Sequence, residues 1–133
     1  MLLYLNICVP VAGAMGLEVA VESLARLNQV YLRTHPHTPP LYRSGVVYLR
    51  DADLGTQDTP ATELWVTIPD CRRLGGADCK VLAAWRIAEL REGGDTAARC
   101  LLSRNGHLWH VRVRRGDGSI EDPSARLGMK GAA

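Results

Sequence analysis

The segment that most restricts the fold is Asp78-Cys79-Lys80-Val81-Leu82-Ala83-Ala84-Trp85, which follows Gly75-Gly76 and runs on to Gly93-Gly94. The first glycine pair stops the backbone, Asp78 stands where a helix N-cap belongs, and an apolar run follows at once. A helix is therefore expected from about Asp78 to Glu92. Its first half, Val81 to Trp85, is apolar nearly all round, so that turn has no side to offer to water. The helix must be central, with the other elements wrapped about it. Its second half carries Arg86, Glu89, Arg91 and Glu92 and can reach the surface, and Gly93-Gly94 closes it.

A chain of 133 residues has room for one such core, and 47% hydrophobic with 23% charged residues is ordinary for a soluble globular protein. One domain is expected over residues 1–133, with a core of about 16–128, a peripheral leader 1–15 and a peripheral tail 129–133. The leader is apolar but lacks a basic start, and it is shorter than the roughly 20 residues a membrane helix needs. It reads as a buried strand or an ordered leader. The net charge of +2 is too small to argue for nucleic acid or an anionic membrane, and neither is expected as a partner. The four cysteines, Cys8, Cys71, Cys79 and Cys100, read as free thiols in a reducing compartment, because a domain this size does not need disulfides.

Around the central helix the pattern falls into place in chain order. Residues 16–33 form an amphipathic helix with Leu17, Val21, Leu24, Asn28 and Tyr31 as its stripe, widened by Ala20, Leu27 and Leu32. Glu22 and Arg26 lie outside it at pairing distance, and His35-Pro36-His37-Thr38-Pro39-Pro40 ends it. A short strand is expected within 42–49 and a surface loop over 51–62. Residues 63–68 form a second short apolar segment, and Pro69-Asp70 opens a helical turn through Leu74. After the central helix the period changes. Residues 97–103 and 107–115 read as strands joined at Asn105-Gly106, and 119–122 as a third strand closed by Pro123. The tail from Leu127 is expected to fray. The fold class is α+β, a central helix packed on a small antiparallel sheet.

Three residues in this arrangement could act together. Cys79 sits at a helix start, where the free N–H groups favour thiolate. His110 sits on the second strand of the meander and Asp122 at the end of the third, and a tight turn can bring those two side by side. A cysteine nucleophile needs a base, and the base needs an acceptor to orient it, and these roles fall in chain order to Cys79, His110 and Asp122. His107 is the alternative base. The two histidines point to opposite faces of one strand, and His110 lies opposite the core-type Val111 and Val113. The same opposition argues against a shared metal ion, and Cys71 and Cys79 have no zinc-ligand spacing. No metal and no cofactor are expected.

The segment Gly75-Gly-Ala-Asp-Cys79-Lys-Val-Leu-Ala-Ala-Trp85, then His110-Val-Arg-Val-Arg114, then Asp122-Pro-Ser124, resembles the transglutaminase-like cysteine protease superfamily. The resemblance covers about residues 63–128. Residues 27–33 with Pro39-Pro-Leu-Tyr42, and residues 120–129, are similar to small transglutaminase-like proteins of tailed bacteriophages and prophages. The resemblance implies a papain-like fold and a Cys79–His110–Asp122 triad. The chemistry would be thiol acyl transfer, as a peptidase, amidase or protein cross-linker acting on a protein or peptide. It implies an oxyanion met by the Cys79 N–H and one further donor, for which Trp65 and Tyr48 are the candidates. Arg112 stands where the family often has an aromatic residue. Phage structural proteins become expected partners, and the host cytoplasm or the virion the expected location. The competing expectation is a structural or assembly protein of a phage particle that keeps the fold without the reaction.

Overall fold

The structure, a computed structural model, describes residues 13–54 and 63–130. Helix α1 (Gly13–Thr34) is followed by a 3-10 turn at 41–43, strand β1 (Val47–Tyr48) and a second 3-10 turn at 51–54. Then come α2 (Ile68–Leu74), β2 (Gly76–Ala77), α3 (Cys79–Glu92), β3 (Arg99–Asn105), β4 (Leu108–Arg114), β5 (Ile120–Glu121) and α4 (Pro123–Arg126). The architecture is α+β, with helices packed on a small antiparallel sheet of order β3-β4-β5.

Helix α3 is the centre that its sequence requires. Every residue from Lys80 to Trp85 is buried, as are Ile87 and Ala88. Helix α1 lies along it, burying Leu17, Val21, Leu24, Ala25, Asn28 and Gln29. Leu27, expected in the stripe, is half exposed, and Ala25 is buried instead: the contact with α3 runs down a narrower face than the pattern suggested. Charged groups fasten the two helices where the apolar contact ends. Arg91 reaches both carboxylate oxygens of Glu22 (2.9 and 2.7 Å), and Glu92 accepts from Gln29 (2.9 Å) and Arg33 (2.6 Å). Asn28, fully buried, accepts from the Ile68 N–H at 3.0 Å and so satisfies a free donor at the start of α2.

Strand β4 is the middle of the sheet. Val111 and Val113 are buried in the cluster that holds α3, and His110, Arg112 and Arg114 alternate with them toward the other face. Strand β5 pairs only with Val113 and Arg114. Among the described residues, β4 therefore has no strand beside it on that side at His110 and Val111.

Four expectations change. Only Val47 and Tyr48 form a strand within 42–49, because residues 41–43 turn as a 3-10 helix beneath Glu89, whose carboxylate accepts the Leu41 N–H (3.0 Å). The chain at 63–67 takes no regular secondary structure, and Ile68 opens α2. Residues 75–77, read as a turn, supply β2, which pairs in parallel with β1. Gly75 ends α2 at φ +83°, a conformation that suits glycine. Gly76 lets the strands meet, since a Cβ there would lie 2.3 Å from the Val47 carbonyl oxygen. Finally, the tail is tied down as far as Met129. The Tyr48 N–H donates to the Leu127 carbonyl (2.9 Å) and the Met129 N–H to that of Ser124 (2.8 Å). The leader readings for 1–12 and most of the 51–62 loop lie outside the described residues.

Candidate active site

The site forms where the start of α3 meets the unpaired side of β4. Asp78 occupies the N-cap position with an extended backbone, and Cys79 is the first helical residue. The Asp78 side chain caps nothing, contrary to expectation. It turns to the ammonium of Lys80 in a short ion pair. Two backbone N–H groups, those of Val111 and Lys80, lie close enough to the Cys79 thiol to favour its charged form. The first of these places the sulfur against β4 at the residue that follows His110.

His110 and Asp122 are joined directly. The ring Nε2 of His110 lies 2.7 Å from an Asp122 carboxylate oxygen, and both side chains are about one-quarter exposed (23% each). The sheet register explains the meeting. Val113 faces Glu121 and Arg114 faces Ile120, so a continued register sets Asp122 opposite Arg112, diagonal to His110 on the same face. Asp122 is fixed from its other side as well. Its second oxygen accepts the Ala125 N–H (3.1 Å) as the N-cap of α4, with Pro123 in the first turn. A step further back, Arg86 of α3 grips Glu121 with two hydrogen bonds (2.8 and 3.0 Å), and Arg115 adds a third (2.7 Å). The strand end that carries Asp122 is thus bolted to the helix that carries Cys79.

Nε2 being held by Asp122, Nδ1 is the nitrogen left to act as a base. Among the described residues no hydrogen bond joins Cys79 to His110. The thiol is also not the poised thiolate that a helix start suggested. Burial and the neighbouring Asp78 carboxylate push it up to about 11, against the pull of the two N–H donors and Lys80. The helix terminus loses because burial disfavours the thiolate first, and the Asp78 carboxylate one residue away then adds to that. Cys71, buried in α2, is pushed up to about 12 by burial and then by Asp78. Cys71, Cys79 and Cys100 are free thiols. Cys8 lies outside the described residues.

The other named residues divide. His107 stands exposed in the β3–β4 turn, away from the Asp122 pair. Tyr48 lies across from Ala77, two residues before Cys79, and burial, then the Cys79 and Asp78 charges, raise its phenol. Trp65 is half-buried with the Lys80 ammonium 5.3 Å from its ring centroid. Arg112 and Arg114 are partly buried.

Lys80 and Asp51 are the residues that sequence reasoning missed. Lys80 is only 4% exposed, and besides Asp78 it reaches Asp51 (3.4 Å), which also accepts the Leu64 N–H (3.0 Å). A lone lysine inside the apolar run from Cys79 to Trp85 was the available signal. Two surface concavities, one lined by Tyr31, His35, His37 and Arg72 and one by Val19, Leu102 and Trp109, include none of Cys79, His110 or Asp122. No described helix is long and apolar enough to cross a membrane. Comparison of the chain with protein families, with curated proteins and with solved structures finds no match.

Proposed function

We propose that this protein is a thiol acyl-transfer enzyme of transglutaminase-like type, with Cys79 as nucleophile, His110 as base and Asp122 as its orienting partner. The observation that carries the reading is the His110–Asp122 pair at 2.7 Å on the strand whose next residue, Val111, brings its N–H near the Cys79 thiol. Asp122 accepts the proton on Nε2 and so keeps the Nδ1 lone pair open. With the thiol protonated at rest, Nδ1 takes its proton as sulfur attacks a carboxamide or peptide carbonyl, and the imidazolium then protonates the leaving amine. The thioester is released by water or by an amine. The Cys79 N–H, in the first turn of α3, is the first oxyanion donor, with Tyr48 or Trp65 as the second. The substrate is a protein or peptide, with phage structural proteins as the class the sequence resemblance suggests, in the host cytoplasm or on the virion.

The second reading is a non-catalytic structural or assembly protein of a phage particle. The raised Cys79 thiol, without a bond to His110, is the observation in its favour. Mass spectrometry of protein substrates incubated with wild type and with Cys79→Ala separates the two. The enzyme gives cleavage, deamidation or a new isopeptide bond with wild type alone. Identical products from both proteins would leave the structural reading standing.

A further inference from the structure

Beneath Cys79 lies a charge cluster that the triad does not use. Lys80 is buried, its ammonium paired with Asp78 on one side and with Asp51 (3.4 Å) on the other. Asp51 also takes the Leu64 N–H, and the ammonium stands over the Trp65 ring. One side chain therefore ties together the start of α3, the 3-10 turn at 51–54 and the chain at 64–65. A buried ammonium needs such partners, because removing it from water unpaired costs several kcal/mol. The cluster also brackets the candidate nucleophile along the chain, one opposite charge on each side of Cys79.

We propose that Asp78 and Lys80 are positioning residues that set how readily Cys79 gives up its proton, Asp78 opposing the thiolate and Lys80 favouring it. Lys80 also ties, through Asp51, the chain at 64–65 to the start of α3. The proposal rests on the reading of Cys79 as nucleophile but names residues outside the triad. The logic is electrostatic. The Asp78 carboxylate precedes the sulfur-bearing residue in a largely buried site, where a like charge is poorly screened. Lys80 cancels part of that charge, and its second contact, to Asp51, keeps the ammonium from moving away. Facing Asp78 and Cys79 from other elements are Asp51, Glu63, the Tyr48 phenol and the Cys71 thiol. All four are acidic groups; the His110–Asp122 pair faces Cys79 from β4 and Arg50 acts on the Tyr48 phenol, so Lys80 is the cation paired directly with Asp78. Burial first, and then Asp51 and Glu63, push the Asp78 carboxyl up to about 6 despite Lys80, so at neutral pH the brake is on.

The test is the pH profile of Cys79 alkylation by iodoacetamide, read by peptide mass spectrometry so that each cysteine is followed separately. In this reaction the thiolate displaces iodide and the thiol proton goes to solvent. Asp78→Asn is expected to speed Cys79 at pH 8. A one-unit fall in thiol pKa gives about tenfold more thiolate, and about threefold in rate after allowing for the weaker nucleophile. Lys80→Met is expected to slow Cys79, and the double variant to return near wild type. Opposite signs with a compensating double are not what loosened packing produces, since loosening speeds both. If Lys80→Met does not fold, Asp78→Asn against the double variant still measures the coupling. An unchanged or slower Cys79 in Asp78→Asn, or a faster one in Lys80→Met, overturns the proposal. The readout needs no turnover. A protein that labels as expected yet gives no product with any substrate would sink the enzyme reading alone.

Discussion

The two halves of α3 use charge in opposite ways. From Arg86 to Glu92 the charged groups reach outward to other elements: Arg86 to Glu121, Arg91 to Glu22, and Glu92 to Arg33 and Gln29. Each joins segments far apart in sequence, and each has at least one foot near solvent or a second partner. At the other end, Asp78 and Lys80 face each other across Cys79 in a site shared mainly with other acids. The pKa directions mark the contrast. Burial works against the Glu121 charge, yet Arg86 and Arg115 overcome it and hold the carboxyl below its ordinary 4.5. Burial works against the Asp78 charge too, and there Lys80 does not overcome it. Charges in the second half stabilise the scaffold, whereas those in the first half sit in tension around a thiol. Such tension is a usual mark of a functional site.

That contrast can be broken in several ways. The largest expected effect is on activity. Asp122→Asn keeps the α4 cap but favours the wrong His110 tautomer, so it should lower kcat/KM about 10⁴-fold while leaving Tm near wild type. A variant with full activity would remove Asp122 from the mechanism. In the scaffold half, Arg86→Ala leaves Glu121 with Arg115 alone and Glu89 with only the Leu41 N–H, and should cost about 1.5–3 kcal/mol in urea unfolding. A loss under about 1 kcal/mol would show that the network is ornamental to stability, as exposed pairs often are.

The pH dependence should carry opposite signs at the two ends. Glu121 titrates lower folded than unfolded, so its contribution is full above pH 4.5 and is lost as pH falls through its folded value. Asp78 titrates higher, at about 6 against 3.8 unfolded. Its contribution is full below 3.8 and lost as pH rises through 6. Tm followed across this range should fall less steeply on the acid side in Glu121→Gln, since Glu22 and Glu92 are lowered too, and an unchanged fall would place the acid sensitivity with those groups. The smallest effect is expected at Arg33, whose side chain is 65% exposed. Arg33→Ala should cost under about 1 kcal/mol by thermal melting.

The site was legible to different depths. His110 and Asp122 could be paired from strand alternation and turn spacing, because a sheet with tight turns converts sequence distance into register. Cys79 could be placed at a helix start because Gly75-Gly76 and the apolar run leave no other boundary. Its ionisation could not be read. The dipole argument is local to the helix, whereas the burial of Cys79, which raises it most, and the Asp51 partner of Lys80 are properties of the assembled site. Lys80 shows the same limit. Its position inside an apolar run marked it as anomalous, but its partner is 29 residues away in a stretch read as a surface loop.

By itself, then, the sequence determined the central helix, the meander around Asn105-Gly106 and the chain order of Cys79, His110 and Asp122 on them. Hydrophobic period and turn residues act over a few neighbours and are written in the chain. Tertiary structure alone decided the parallel β1–β2 pair closed over Gly76, the Arg86 grip on β5 and the charge balance around Cys79. These depend on which distant groups share a buried space, where a charge is felt most strongly because water is no longer there to screen it.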